Sequence, residues 1–200
     1  DVINALSKSP NLKVDKFDGS NIQYVLFNTK EGPLANPKIR QAIGFAIDRK
    51  RIISDLILDQ ARIADAVLPP ESWAFAPGTQ YSYDPAKAKQ LVVDSGYKNE
   101  PIVFKYRAGG AATNQYSQVI QSSLTDVGLN VQIETLDGPT LISQLGRGQF
   151  QMYTGIWVGG NTDPIFMRDL FSSTKIPNDV VGCCNRGHYT NTGVDKLIQD

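Results

Sequence analysis

Residues Gly148–Pro164 read GQFQMYTGIWVGGNTDP, and the way this stretch folds decides the organisation of the chain. As a strand it puts Phe150, Met152, Thr154, Ile156 and Val158 on one face and Gln151, Tyr153, Gly155 and Trp157 on the other, because side chains alternate along a pleat. The first set is a core face. The second carries two aromatic rings on either side of a glycine, where a ligand or another backbone can come close. Gly159-Gly160-Asn161-Thr162 then forms a flexible loop, and Asp163-Pro164 is an N-cap followed by proline at the first helical position. Strand, glycine loop and helix start in one short run form a usual binding edge of an α/β protein.

Working outward, IVFKYR (residues 102–107) and LNVQIETL (129–136) are rich in β-branched and aromatic residues and read as strands, as do IQYVLFNT (22–29) and LKVDKF (12–17), with a turn at 18–21 between the last two. The opening residues 1–7 read as the tail of a helix. Asn36-Pro37 starts a helix whose Ile39, Ala42, Ile43, Ala46 and Ile47 recur at helical spacing, and Asp48 caps a second helix over 49–58. Pro69-Pro70 and Pro77-Gly78 mark a long irregular crossing with Trp73, Phe75, Tyr81 and Tyr83. Aromatics there usually form a satellite core, and Trp73 is kept as a candidate ligand contact. Asp84-Pro85 opens a helix that ends at Gly96. A further helix presents Tyr116, Val119, Ile120, Leu124 and Val127 and stops at Gly128. Short helices over 139–145 and 164–171 and a last one from Val194 complete the chain. Strand and helix alternate from Ile102 onward, which implies α/β layers.

The 200 residues, 41% hydrophobic, are enough for one ordinary domain. Twenty basic and twenty acidic residues cancel, so nothing draws the chain to nucleic acid. The basic run Lys38, Arg40, Arg49, Lys50, Arg51 reads as the wet face of helices. No stretch approaches a membrane span and no charged-then-apolar leader opens the chain. The chain starts at Asp1 and stops at Asp200 inside a helical pattern, so both ends read as cut. Cys183 and Cys184 are adjacent, and neighbouring residues rarely meet the geometry of an unstrained disulfide, so cysteine usage leaves the compartment open.

The residues give little to catalysis. His188 is the single histidine, and with Cys183 and Cys184 it makes a weak zinc set that lacks a second cluster. No phosphate loop and no Gly-x-Gly-x-x-Gly turn is present. Asp163 and Asp169 have no third acid nearby, and capping accounts for Asp163. An enzyme using Asp163 as general base beside Trp157 needs a nucleophile or metal that the sequence does not display. No cofactor, metal or catalytic residue is therefore expected.

YVLFNTKEGPLANPKIRQAIGFAIDRKRI, VLPP and YDPAKAKQLVVDSGY, then FKYRAGG, IQSSLTDVGLNVQIETLD, GIWVGGNTDPIFMRDLF and YTNTGVDKLI resemble, in the same order, the family 5 extracellular solute-binding proteins of peptide and nickel ABC importers. The resemblance implies one lobe of a periplasmic-binding-protein type II (dipeptide-binding-protein-like) fold, a mixed sheet flanked by helices. It implies that residues 1–200 are the second, ligand-binding lobe of a two-lobed receptor, with the first lobe and hinge absent. Such a receptor captures an oligopeptide or similar solute and passes it to ABC permease subunits, on the periplasmic or extracellular face of the cytoplasmic membrane. Contact with the membrane comes only through the transporter or a lipid anchor outside residues 1–200. A sensory or chaperone-like interaction module of the same fold is the alternative.

Peptide-binding members place an arginine after the strand corresponding to IVFKYR, and Arg107 holds that place, with a surface ion pair as its other role. Trp157 resembles the tryptophan that leads the binding loop. The expected ligand contacts are Arg107, Tyr153, Trp157, Gly159, Gly160, Asn161 and Trp73. At Gly160 peptide receptors tend to carry an aspartate for the ligand's amino terminus, so sugars, opines and metal chelates stand beside peptides as ligands.

Overall fold

The computed structural model describes residues 6–15, 17–158, 163–178 and 184–199. Among these, β1 (Ile22–Phe27), β2 (Ile102–Arg107), β3 (Val131–Leu136) and β4 (Met152–Trp157) form one sheet. Their order is β1-β4-β2-β3. β2 runs parallel to β3 and β4, whereas β1 is antiparallel to β4, with Ile22 opposite Trp157 and Phe27 opposite Met152. The expected mixed sheet is therefore present.

Helices cover both faces. α1 (Pro37–Ala46) starts where Asn36 Oδ1 accepts the Lys38 N–H at 3.0 Å, and α2 (Pro85–Asp94) where Asp84 Oδ1 accepts the Lys87 N–H at 2.9 Å. Each cap satisfies an N–H that has no partner within its helix. Ile39, Ala42, Ile43 and Ala46 of α1 and Ala88 and Val92 of α2 join Tyr116, Ile120 and Leu124 of α3 (Ala111–Asp126) in one buried cluster. They pack on Ile102, Phe104, Val131 and Met152, which point to that face of the sheet. On the opposite face, α4 (Gly138–Gly146) buries Leu141 and Leu145 with Phe150 against Leu26, Leu136 and Tyr153. Beyond β4, α5 (Phe166–Phe171) and α6 (Thr192–Gln199) lean on each other.

Several sequence expectations need correction. LKVDKF is not a strand among the described residues, and Phe17 is 89% exposed. Alternation alone does not make a strand when no neighbouring ladder takes up its backbone groups. Phe150 precedes β4 and packs with α4, not with Met152. Ile156 and Val158, 56% and 74% exposed, leave the core as β4 runs past the helices, and Val119 is likewise exposed on α3. The helix predicted over 49–58 is one α-turn, Arg49–Arg51, followed by a π-helical turn, Ile52–Leu56, and it is stopped by Leu58 and Asp59 at φ +53° and +56°. Cys184, whose state the sequence leaves open, is disulfide-bonded, and Cys183 lies outside the described residues.

Candidate ligand-binding edge

The connections leave the carboxyl ends of the parallel strands on different faces of the sheet. α3 joins β2 to β3 across one face, and α4 joins β3 to β4 across the other. The switch in direction therefore falls between β2 and β3, whose carboxyl ends send α3 and α4 to opposite faces, while β4 lies on the other side of β2. The ladder between β2 and β4 stops at Lys105 and Tyr153, while β4 continues to Trp157 beside β1. Arg107 ends β2 and Trp157 ends β4, so both stand at the carboxyl-end edge of the parallel strands.

Strand register gathers Tyr24, Tyr153, Gly155, Trp157 and Arg107 on the α4 side of the sheet. The glycine gap is not vacant, however: a Cβ on Gly155 would collide with the Tyr153 hydroxyl. Tyr153 therefore folds along its own strand and fills the space that the sequence assigned to a ligand. Tyr24, opposite Gly155 in the ladder, meets Tyr153 edge-on at 6.0 Å and 76°. Together the two rings form a floor.

Burial pushes the Tyr24 phenol up to about 12, the Tyr153 ring adds to this, and the Arg186 charge opposes it. Tyr153 is also raised, chiefly by burial, against the pull of Arg186 and Arg107. Between pH 10 and about 12, the folded chain keeps a Tyr24 proton that the unfolded chain has lost. Stability is therefore expected to fall as pH rises through that window. Urea midpoints measured across it should decline less steeply in Tyr24→Phe; equal slopes would contradict the assignment.

The Arg107 side chain is exposed and lies across the start of α4, where a Cβ on Gly138 would stand 3.1 Å from its Nε. Asp137 caps α4 through the Thr140 N–H at 3.0 Å. Hydrogen bonding from the Thr140 side chain first, and then from its N–H, holds the Asp137 carboxyl below the usual range. No carboxylate among the described residues lies within 4.0 Å of Arg107, so the expected surface ion pair is not formed there. Trp157 is half-buried and stacks on Phe166 of α5 at 5.6 Å and 26°. The indole is thus part-exposed at the end of β4 and is not sealed in the core.

Other candidates lie elsewhere. Trp73, 81% exposed on the irregular crossing, makes no ring contact with this group. Gly159, Gly160 and Asn161 lie outside the described residues. Asp163 accepts the Ile165 N–H at 2.8 Å in a turn, but α5 begins only at Phe166 with Ile165 as its N-cap and no side-chain cap bond, so the expected Asp163-Pro164 helix start is not formed. A cavity of about 660 Å³ lined by Thr29, Lys30, Arg40 and His188 sits beyond Phe27, at the other end of β1 from Trp157. Burial lowers the His188 pKa there, with help from Lys30. Among the described residues no three His, Cys, Asp or Glu side chains converge as a metal site.

Lys105 and Arg186 went unnoticed in the sequence. Lys105 is buried under α4, with Nζ 2.5 Å from Gln144 Oε1, 2.9 Å from the Gln149 carbonyl and 3.3 Å from Glu134. Its partners come from three separate segments, and no local pattern announces them.

The chain resembles known proteins along nearly its whole length. The chain is 28% identical to the heme-binding protein A of Haemophilus influenzae over 98% of its own length and 36% of that protein's. It is equally similar to a probable di/tripeptide-binding protein 5 of Pseudomonas aeruginosa, over 99% and 38%. The periplasmic binding protein DppA of Helicobacter pylori, solved with the peptide STSA, superposes with a TM-score of 0.87 at 26% identity, covering 98% of this chain and 38% of that one. The chain thus spans a little over a third of the curated relatives it matches. Among the described residues no helix is long and apolar enough to cross a membrane. The family model for the middle part of bacterial extracellular solute-binding proteins of family 5 matches residues 1–179, and with the type II binding-protein fold of the solved relative beside it, the chain belongs to that family.

Proposed function

We propose that residues 1–200 are the ligand-holding lobe of a two-lobed receptor for an ABC importer, with the other lobe and hinge contributed by further parts of the polypeptide. The receptor takes up a small solute between its lobes, outside the cytoplasmic membrane, and delivers it to the permease without performing a reaction. The observation that carries this reading is the juxtaposition of a free guanidinium and a half-buried indole at the carboxyl ends of β2 and β4. Relatives named for heme and for di- and tripeptides support a solute bearing both a carboxylate and an apolar surface. Arg107 meets the carboxylate and Trp157 packs on the apolar part, while the backbone of 159–161 pairs with the solute. Ligand contacts on both lobes favour the closed form, so binding free energy shifts the open and closed populations.

A charge-assisted hydrogen bond contributes about 1.5–3 kcal/mol, or one to two powers of ten in affinity. In the full-length receptor, Arg107→Ala and Trp157→Ala are each expected to weaken solute binding about tenfold or more by calorimetry. Unchanged affinity in both variants would refute the site.

A further inference from the structure

We propose that the cavity beyond Phe27 is a second ligand site, separate from the edge at Trp157, and that it takes a small organic phosphate. The inference does not rest on the receptor function given above.

The cavity is assembled from three segments that lie far apart in the chain. Thr29 and Lys30 follow β1, Arg40 lies on α1, and Ile176, Pro177 and His188 come from the run beyond α5. Hydrogen bonds fix its walls. The Gly187 carbonyl accepts the Thr29 N–H at 2.8 Å, and the Thr29 hydroxyl donates to the Gly187 and His188 carbonyls at 2.9 and 3.2 Å. A Cβ on Gly187 would stand 2.8 Å from the Phe27 carbonyl, so only glycine lets this run lie so close to the end of β1. Asn185, 1% exposed, steadies the same turn by donating from Nδ2 to the Ser172 and Tyr189 carbonyls at 3.0 and 2.7 Å. His188 is held at φ +55°, and its ring rests on Gly148, where a Cβ would stand 3.1 Å from Nε2. Arg40 Nη1 donates to the Leu34 and Ala35 carbonyls at 2.7 and 2.9 Å. The walls are therefore in place before any ligand arrives, and such preorganisation lowers the ordering cost of binding.

The lining carries charge of one sign. Lys30, Arg40 and His188 line the cavity, and no Asp or Glu stands among the described lining residues. Among the described residues none of the three has a carboxylate within 4.0 Å. The whole chain has no net charge, so this excess is local. Burial, and then the Lys30 charge, keep the His188 imidazole below its ordinary pKa against the pull of Glu31. At neutral pH the ring is thus uncharged and supplies one N–H beside two full cations. A phosphate monoester carries about −1.5 to −2 at pH 7 on three acceptor oxygens and matches that set, whereas a single carboxylate leaves one cation unanswered. Donors arriving from three segments also suit a tetrahedral anion better than a flat one, which a single guanidinium fork serves. The volume of about 660 Å³ exceeds the needs of bare phosphate and is of the size that holds small molecules. Ala35, Ile176 and Pro177 give the organic body an apolar wall.

The test titrates glycerol monophosphate into the full-length protein by calorimetry, with glycerol and succinate as comparison solutes. Glycerol monophosphate is expected to bind with a dissociation constant of about 1 mM or tighter, and succinate about tenfold more weakly. Lys30→Gln and Arg40→Gln should each weaken phosphate binding about tenfold. Lys50→Gln, on the exposed turn after α1, and Arg107→Ala, at the other end of the sheet, should leave the phosphate affinity unchanged. Melting curves check the fold of each variant, and because Lys30 is exposed, Lys30→Gln decides if Arg40→Gln does not fold. No binding of glycerol monophosphate, or unchanged affinity in the folded Lys30 and Arg40 variants, overturns the inference. Equal binding of succinate overturns the phosphate class. A loss in Lys50→Gln as large as in Lys30→Gln reveals diffuse attraction, and a loss in Arg107→Ala moves the phosphate to the other edge; either overturns the site. Sedimentation with phosphatidic acid vesicles but no binding of glycerol monophosphate would assign the phosphate to a lipid and overturn the soluble ligand.

Discussion

Phe104→Ala is expected to lower the unfolding free energy by about 3–5 kcal/mol, the transfer and cavity cost of emptying a closed aromatic site. Phe104 is fully buried on β2, opposite Ile133 and Met152 on the flanking strands. It meets Tyr106 edge-on at 6.3 Å and joins the cluster beneath α1, α2 and α3. No single element can move inward to refill such a site. Domains are commonly stable by about 5–15 kcal/mol, so the loss is a large fraction of the whole. At about 2–4 °C per kcal/mol for a chain of this size, the melting temperature should drop by roughly 10 °C. Urea denaturation of the wild type, Phe104→Leu and Phe104→Ala checks the origin of the effect, because the leucine variant retains most of the volume and should lose less. A cost below about 1 kcal/mol for Phe104→Ala would place the core elsewhere.

Residues 1–200 alone should fold but bind the receptor's solute at least about 100-fold more weakly than the full-length protein. A micromolar solute needs roughly 8 kcal/mol net, after an association cost of roughly 4–15 kcal/mol. Arg107, Trp157 and their neighbours offer contacts from one side only, and without a facing lobe water keeps access to each of them. Circular dichroism would establish folding, and calorimetry with the same solute on both proteins would measure the difference. Equal affinity for the two proteins would contradict the two-lobed mechanism outright.

The strands and most helix starts were legible because their signals are local. IVFKYR became β2 over the expected residues, and Asn36-Pro37 and Asp84-Pro85 cap α1 and α2 through the bonds those residue pairs imply. What failed depended on partners distant in sequence. LKVDKF alternates like β1, but the ladder holds no place for it. Gly155 signalled a close approach, yet nothing local said that the approaching group is the hydroxyl of Tyr153. The Arg107 and Trp157 positions followed from the family resemblance and the strand ends. Arg186 sits in a turn-rich run, and its neighbours Asn185 and Gly187 gain meaning only when that run is laid against β1. Asn28 was passed over for the same reason: its Nδ2 reaches the Gly148 and Phe150 carbonyls at 3.1 Å and ties the end of β1 to the approach to β4.

The antiparallel pairing of β1 with β4 bears on the order of events during synthesis. Gln23 bonds Thr154 across 131 positions, and Tyr24 meets the strand that carries Tyr153 only after nearly all of these residues have left the ribosome. β2, α3 and β3 are contiguous and can dock first, whereas the β1 contacts bear the late entropy of closing a long loop. Until then Val25, Leu26 and Phe27 remain without their neighbours, which makes the nascent chain a client for holding factors. The aromatic floor is therefore assembled late, and a ribosome stalled before Met152 would display a polypeptide that lacks it.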